Sequence, residues 1–179
     1  MPKKKIDESL VDSFVADFSR HRRSFILSPQ QWSAFQLSTN LTWKHEPLLE
    51  INISAIPKSR GIYAHSICLN LPSIPPNGYI TYVGLVGDKK NKGPSGNSRH
   101  LQQRFKEYLR EQKELIRGSV WEVLKQYADH MIFHYAEITD PTVRLHPIEN
   151  ALLDTLLPPC NKNDFSIEIK EAYQIVTGK

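Results

Sequence analysis

Gly61-Ile62-Tyr63-Ala64-His65-Ser66-Ile67-Cys68-Leu69 and, beyond a proline-rich break, Tyr79-Ile80-Thr81-Tyr82-Val83-Gly84-Leu85-Val86 are the stretches whose reading decides the fold. Both are rich in β-branched and aromatic residues and free of proline, which predicts two neighbouring strands. Side chains alternate across a strand, so Tyr63 shares a face with Gly61 and His65, and Tyr82 shares one with Gly84. A glycine two residues from a tyrosine opens room for another backbone to approach, as a scissile phosphate requires. Pro72, Pro75, Pro76, Asn77 and Gly78 make the connection too irregular for a tight hairpin.

On the N-terminal side, Ile6, Leu10, Val11, Phe14, Val15 and Phe18 recur at helical spacing and predict an amphipathic helix over 6–20. The basic run Arg20, His21, Arg22, Arg23 closes it, as the helix dipole favours. Ser28-Pro29 reads as an N-cap with proline at the first helical position, starting a short helix with Trp32 and Phe35 inward. Residues 41–57 have no clean period. On the C-terminal side, Gly87 to Ser98 is a polar loop, and Leu101, Phe105, Leu109 and Ile116 mark a helix over 98–116. A short helix over 119–127, a third strand over 131–138, a helix from Pro147 through Leu157 and a last helix over 165–176 complete the chain. The expected fold is α+β: a small three-stranded sheet flanked by helices (58–179), with an N-terminal helical extension (1–57).

The chain has 179 residues, 40% of them hydrophobic and 23% charged, which suits a single globular domain. A net charge of +4 favours a polyanionic partner. Two cysteines, Cys68 and Cys160, make neither a disulfide framework nor a four-ligand zinc site. No segment approaches the roughly 18 apolar residues of a membrane span, and the start lacks a signal-peptide core, so cytoplasmic residence without membrane association is expected. His130 and His134 stand i, i+4, but Met131-Ile132-Phe133 between them reads as strand, which argues against zinc. The loop from Gly84 to Lys90 lacks the full phosphate-loop pattern, which argues against nucleotide hydrolysis.

Phosphodiester hydrolysis needs an activated water, neutralisation of charge on the phosphorane and help for the leaving oxygen, and a divalent metal supplies much of this. Glu149, close behind Pro147 in a helix's first turn, is the natural ligand for Mg2+ or Mn2+. Arg104 lies mid-helix in a polar column with His100 one turn before and Tyr108 one turn after, and an arginine there grips phosphate oxygens. Tyr63 and Tyr82 serve either as a base or as water-orienting groups. Asn161 contacts a phosphate or pins a neighbouring strand. Lys89, Lys90, Lys92 and Arg99, with His100 beside them, are candidates for the nucleic-acid backbone. Each residue also has an ordinary structural reading, and it is the ordered set that points to chemistry.

That set, Gly61-Ile62-Tyr63, Tyr82-Val83-Gly84, Arg104, Glu149 and Asn161, resembles the GIY-YIG nuclease superfamily over roughly residues 60–164. The resemblance implies an antiparallel sheet, one divalent metal on Glu149, water activation by Tyr63 and phosphate stabilisation by Arg104, with Tyr82 and Asn161 completing the site. Tyr108 matches the tyrosine that some members place one turn after the arginine. Val83 replaces the usual isoleucine, and Leu85 stands where some relatives carry a lysine, which Lys89, Lys90 or Lys92 would replace. The chain has no room for a separate DNA-reading domain. It therefore looks most like the compact restriction-type endonucleases, acting on double-stranded DNA and suited to a homodimer. Two alternatives stay open: a structure-selective repair, defence or mobile-element nuclease, and a catalytically silent nucleic-acid-binding module.

Overall fold

The computed structural model describes residues 8–22, 24–37, 39–69, 75, 77–88, 99–114 and 118–178. Its centre is a four-stranded sheet in the order β1-β4-β2-β3. The strands are β1 (Lys44–Pro47), β2 (Gly61–Leu69), β3 (Asn77–Val86) and β4 (Met131–Glu137), and every pairing is antiparallel. β2 is central, with Tyr63 facing Gly84 of β3 on one side and Tyr135 of β4 on the other.

The sheet has one strand more than the three expected. β1 pairs with the outer edge of β4, Lys44 opposite Tyr135 through Pro47 opposite Ile132. Four residues ending in proline are too short to show a period of two, and what makes them a strand is the open edge of β4. Residues assigned from the sequence to an N-terminal extension are therefore built into the sheet. Leu48 and Ile56, which bracket the 3-10 turn Glu50–Ala55, are each only 1% exposed and belong to the main core.

Helices cover both faces. α3 (Leu101–Glu111) and α4 (Gly118–Gln126) pack on one face, where Leu101, Phe105, Tyr108, Val123 and Leu124 meet Tyr63, Met131, Phe133 and Tyr135. On the other, α5 (Leu145–Leu156) and α6 (Ile167–Thr177) bring Leu145, Ile148, Leu152, Leu153 and Tyr173 onto Ile62, Ala64, Val83 and Leu85. The alternation of β2 separates these layers, Tyr63 going to one and Ile62 and Ala64 to the other. α5 starts two residues before Pro147 and stops at Leu157, whose φ of 47° is left-handed, just ahead of Pro158-Pro159.

α1 (Glu8–His21) and α2 (Pro29–Ala34) form as the sequence predicts, and the Ser28 hydroxyl accepts the Gln31 N–H at 3.4 Å as an N-cap. Phe35 packs on the second core, but Trp32 is 46% exposed, so only one of the two aromatic residues turns inward. Val11, Phe14, Val15 and Phe18 are also exposed. Among the described residues no helix is long and apolar enough to cross a membrane.

Candidate active site

Tyr63 and Gly84 are cross-strand partners, and the tyrosine ring fills the space the glycine leaves. A Cβ at Gly84 would stand 2.5 Å from the Tyr63 hydroxyl and 3.0 Å from the Tyr82 ring. A Cβ at Gly61 would run into the Ala136 carbonyl of β4. The sequence suggested that these glycines admit a substrate backbone; they instead admit a phenol and a neighbouring strand. Tyr63 is 2% exposed, with its ring stacked 5.5 Å from Phe133 and 6.1 Å from Tyr82.

Arg104 of α3 reaches this phenol from above the sheet. Its Nε donates to the Tyr63 hydroxyl at 3.0 Å and its Nη2 to the Tyr108 hydroxyl at 3.0 Å. The two phenol oxygens lie 3.1 Å apart. The guanidinium also sits 4.3 Å from the Tyr108 ring centroid, a cation–π contact. Nη1 donates to Glu107 at 2.6 Å and lies 3.7 Å from Glu111. Burial opposes the arginine's charge, but the phenol oxygens and Glu107 outweigh it and hold the guanidinium protonated. Burial, reinforced by Tyr108, also pushes the Tyr63 phenol above its ordinary range, against the pull of Arg104. Tyr63 is therefore a neutral phenol at working pH.

Glu149 approaches from the opposite layer. It lies on α5 and meets the free edge of β3, where the Leu85 backbone N–H helps hold it. Tyr63, Tyr82, Gly84, Arg99, Arg104 and Glu149 line one cavity of about 180 Å3. The site thus straddles the edge strand, with the arginine and phenols from one helical layer and the carboxylate from the other. Burial and the nearby Asp164 push the Glu149 carboxyl up to about 6, with His146 and the Leu85 N–H opposing. A carboxylate buried against its own charge in a cleft is a mark of a functional site.

The donor chemistry at Glu149 fits a hard divalent cation held by one protein ligand. Among the described residues no three His, Cys, Asp or Glu side chains converge as a ligand cluster. His146 stands 3.5 Å from Glu149 through Nδ1 and 3.4 Å from Asp88 through Nε2, so it separates the two carboxylates. Glu149 alone would hold magnesium or manganese, with water and a phosphate oxygen in the other positions. When bound, the ion would supply charge neutralisation at the phosphate.

Of the alternatives left open for Asn161, the strand-pinning role is the one the structure contains. Its Oδ1 accepts the Val83 N–H at 2.8 Å, and its Nδ2 donates to the Val83 carbonyl at 3.0 Å and to Asp164 at 2.9 Å. The amide serves as a one-residue strand on the free edge of β3, next to the Cys160 N–H that bonds the Thr81 carbonyl at 3.0 Å. Tyr108 is fully buried and meets the site through Arg104, Tyr63 and the Tyr82 ring. His100 is the N-cap of α3 and accepts the Gln103 N–H at 3.1 Å through Nδ1. Burial, with Lys58 and Lys106 nearby, keeps its ring neutral, so it offers no charge to a phosphate. Lys89, Lys90 and Lys92 lie outside the described residues.

Three neighbours were not singled out from the sequence. Glu107 bridges Arg104 and Arg99, and the i, i+3 spacing from Arg104 was the signal for it. Lys58 and Lys106, both exposed, place two ammonium groups near His100, and a long-range approach of residue 58 to α3 leaves no trace in local pattern. No protein family, curated protein or solved structure matches this chain.

Proposed function

We propose that this protein is a divalent-metal-dependent DNA endonuclease of the GIY-YIG type, acting on duplex DNA as the compact restriction enzymes of that superfamily do. One observation carries the reading: Tyr63, Tyr82, Arg104 and Glu149, scattered over two strands and two helices on opposite faces of the sheet, line a single cavity. Independent core tyrosines and surface charges have no reason to converge in this way.

In this reading Arg104 binds a non-bridging oxygen of the scissile phosphate, and its charge offsets the charge growing there in the transition state. Tyr63 stays protonated and orients the attacking water through its hydroxyl, a role that asks for no phenolate. Glu149 holds the cation that charge on the phosphate requires. Tyr82, half-buried at the cavity wall, confines the same water from the β3 side. Tyr108 fixes Arg104 and Tyr63 relative to each other.

The test is cleavage of supercoiled plasmid and bacteriophage DNA, with and without magnesium, by the wild type and Glu149→Ala. Discrete fragments that need magnesium and vanish in the variant are expected. Nicking confined to branched DNA would move the reading to a structure-selective nuclease. Salt-sensitive binding without cleavage by either protein, on duplex, branched DNA and RNA alike, would replace it with a silent binding module.

A further inference from the structure

The guanidinium of Arg104 uses each of its three nitrogens as a hydrogen-bond donor in the free protein. Nε and Nη2, on one edge, donate to the phenol oxygens of Tyr63 and Tyr108, each at 3.0 Å. On the other edge, Nη1 donates to Oε2 of Glu107 at 2.6 Å. The phenol edge belongs to the packed core, since Tyr63 and Tyr108 are 2% and 0% exposed. A phosphate that reaches the Nη1 side of Arg104 must therefore compete with Glu107.

Glu107 does not serve Arg104 alone. Its other oxygen, Oε1, lies 3.2 Å from Nε of Arg99, the second arginine of the cavity wall. One carboxylate thus lies between two guanidinium groups, hydrogen-bonded to Arg104 and in ionic contact with Arg99, whose Nε makes no hydrogen bond to it. A phosphodiester presents its two non-bridging oxygens on one phosphorus much as a carboxylate presents its two on one carbon, and arginine binds both kinds of anion.

On the endonuclease reading of this cavity, we infer that Glu107 is a built-in stand-in for the substrate phosphate, holding Arg104 and Arg99 in their binding positions until a phosphodiester displaces it. Without the carboxylate, two like charges would face each other at a largely buried site with only the phenols and the more distant Glu111 to offset them. With it, the charge of the pair is partly offset and the pair is ordered, at the cost of a competitor that the substrate must expel. Glu107 is a positioning residue in this account: it acts through the arginines and leaves when the substrate arrives.

Glu107→Gln tests this, because the amide keeps the shape and an acceptor oxygen but loses the charge that competes. Two probes are titrated in EDTA, inorganic phosphate and a short DNA duplex, and steady-state cleavage is followed separately with magnesium. Glu114→Gln, on an exposed carboxylate just beyond α3 that lies 3.7 Å from Arg110, controls for the change in net charge. The variant is expected to bind both probes about tenfold more tightly than the wild type, against less than about twofold for the control. The cleavage KM should fall while kcat is retained. A merely structural Glu107 gives the opposite sign, with Arg104 less well placed, weaker binding and lower kcat.

Glu107→Ala serves as a second variant should the glutamine hold Arg104 as firmly as the glutamate. If phosphate binds more tightly but neither protein binds duplex, the stand-in survives and the nucleic-acid reading falls. If the wild type cleaves DNA but both variants leave KM and phosphate affinity unchanged or worse, the nuclease reading survives and the stand-in is wrong. Failure of every protein to bind phosphate would also overturn it, since the arginines would then form no anion site.

Discussion

Tyr63 concentrates the chemistry of the molecule in one hydroxyl. It accepts from Arg104, lies within hydrogen-bonding distance of Tyr108 and faces the cavity that Glu149 closes. Because burial raises its pKa, the folded chain keeps a proton that the unfolded chain releases near about pH 10. Its contribution to stability is therefore fully present below about pH 10 and is lost as the pH rises further. Urea midpoints measured from neutral to strongly alkaline pH should fall more steeply for the wild type than for Tyr63→Phe; equal slopes would mean that the phenol ionises freely. At neutral pH the same substitution leaves the buried Arg104 Nε unpaired, which costs about 1–3 kcal/mol, and should lower cleavage by about a hundredfold or more. The residue types and order of the site were legible in the sequence because strand alternation and helical spacing are local. The use of Gly84 was not, since a cross-strand neighbour, unlike a neighbour along the chain, is invisible until the register is known.

At the scale of elements, β3 is a strand with one partner, and an exposed edge is a liability in any sheet. The chain answers with the turn after α5, where the Cys160 N–H and the Asn161 side chain take the places of a missing strand. Asn161→Ala should remove both hydrogen bonds to Val83 and leave buried backbone groups unpaired, costing about 2–4 kcal/mol. If Asn161 acts only as a pin, the activity that remains at a temperature where the variant is folded should keep the wild-type KM. A raised KM in a well-folded variant would show that the amide also meets the phosphate. The sequence could place Asn161 after Pro158-Pro159 but could not choose between these roles, because the choice depends on which edge of the sheet the turn meets. β1 was hidden for a related reason: four residues carry no period, and only the open edge of β4 makes them a strand.

At the scale of the whole molecule, the net charge of +4 is too small to identify a partner, so its arrangement must carry the argument. Arg104 and Arg99 line the cavity and are paired with Glu107, whereas Lys58 and Lys106 lie exposed near His100. On the endonuclease reading, these two lysines are candidates for contact with phosphates flanking the scissile one. Backbone contacts of this kind release condensed counterions, with a slope in log affinity of about 0.9 per neutralised phosphate on B-form DNA. Replacing both lysines with alanine should weaken duplex binding uniformly across sequences and flatten the plot of log affinity against log salt by about two. Both side chains are exposed, so the thermal midpoint should hardly move. A salt slope unchanged from the wild type would mean that these lysines do not meet the DNA, leaving Lys89, Lys90 and Lys92 as the next substitutions to test.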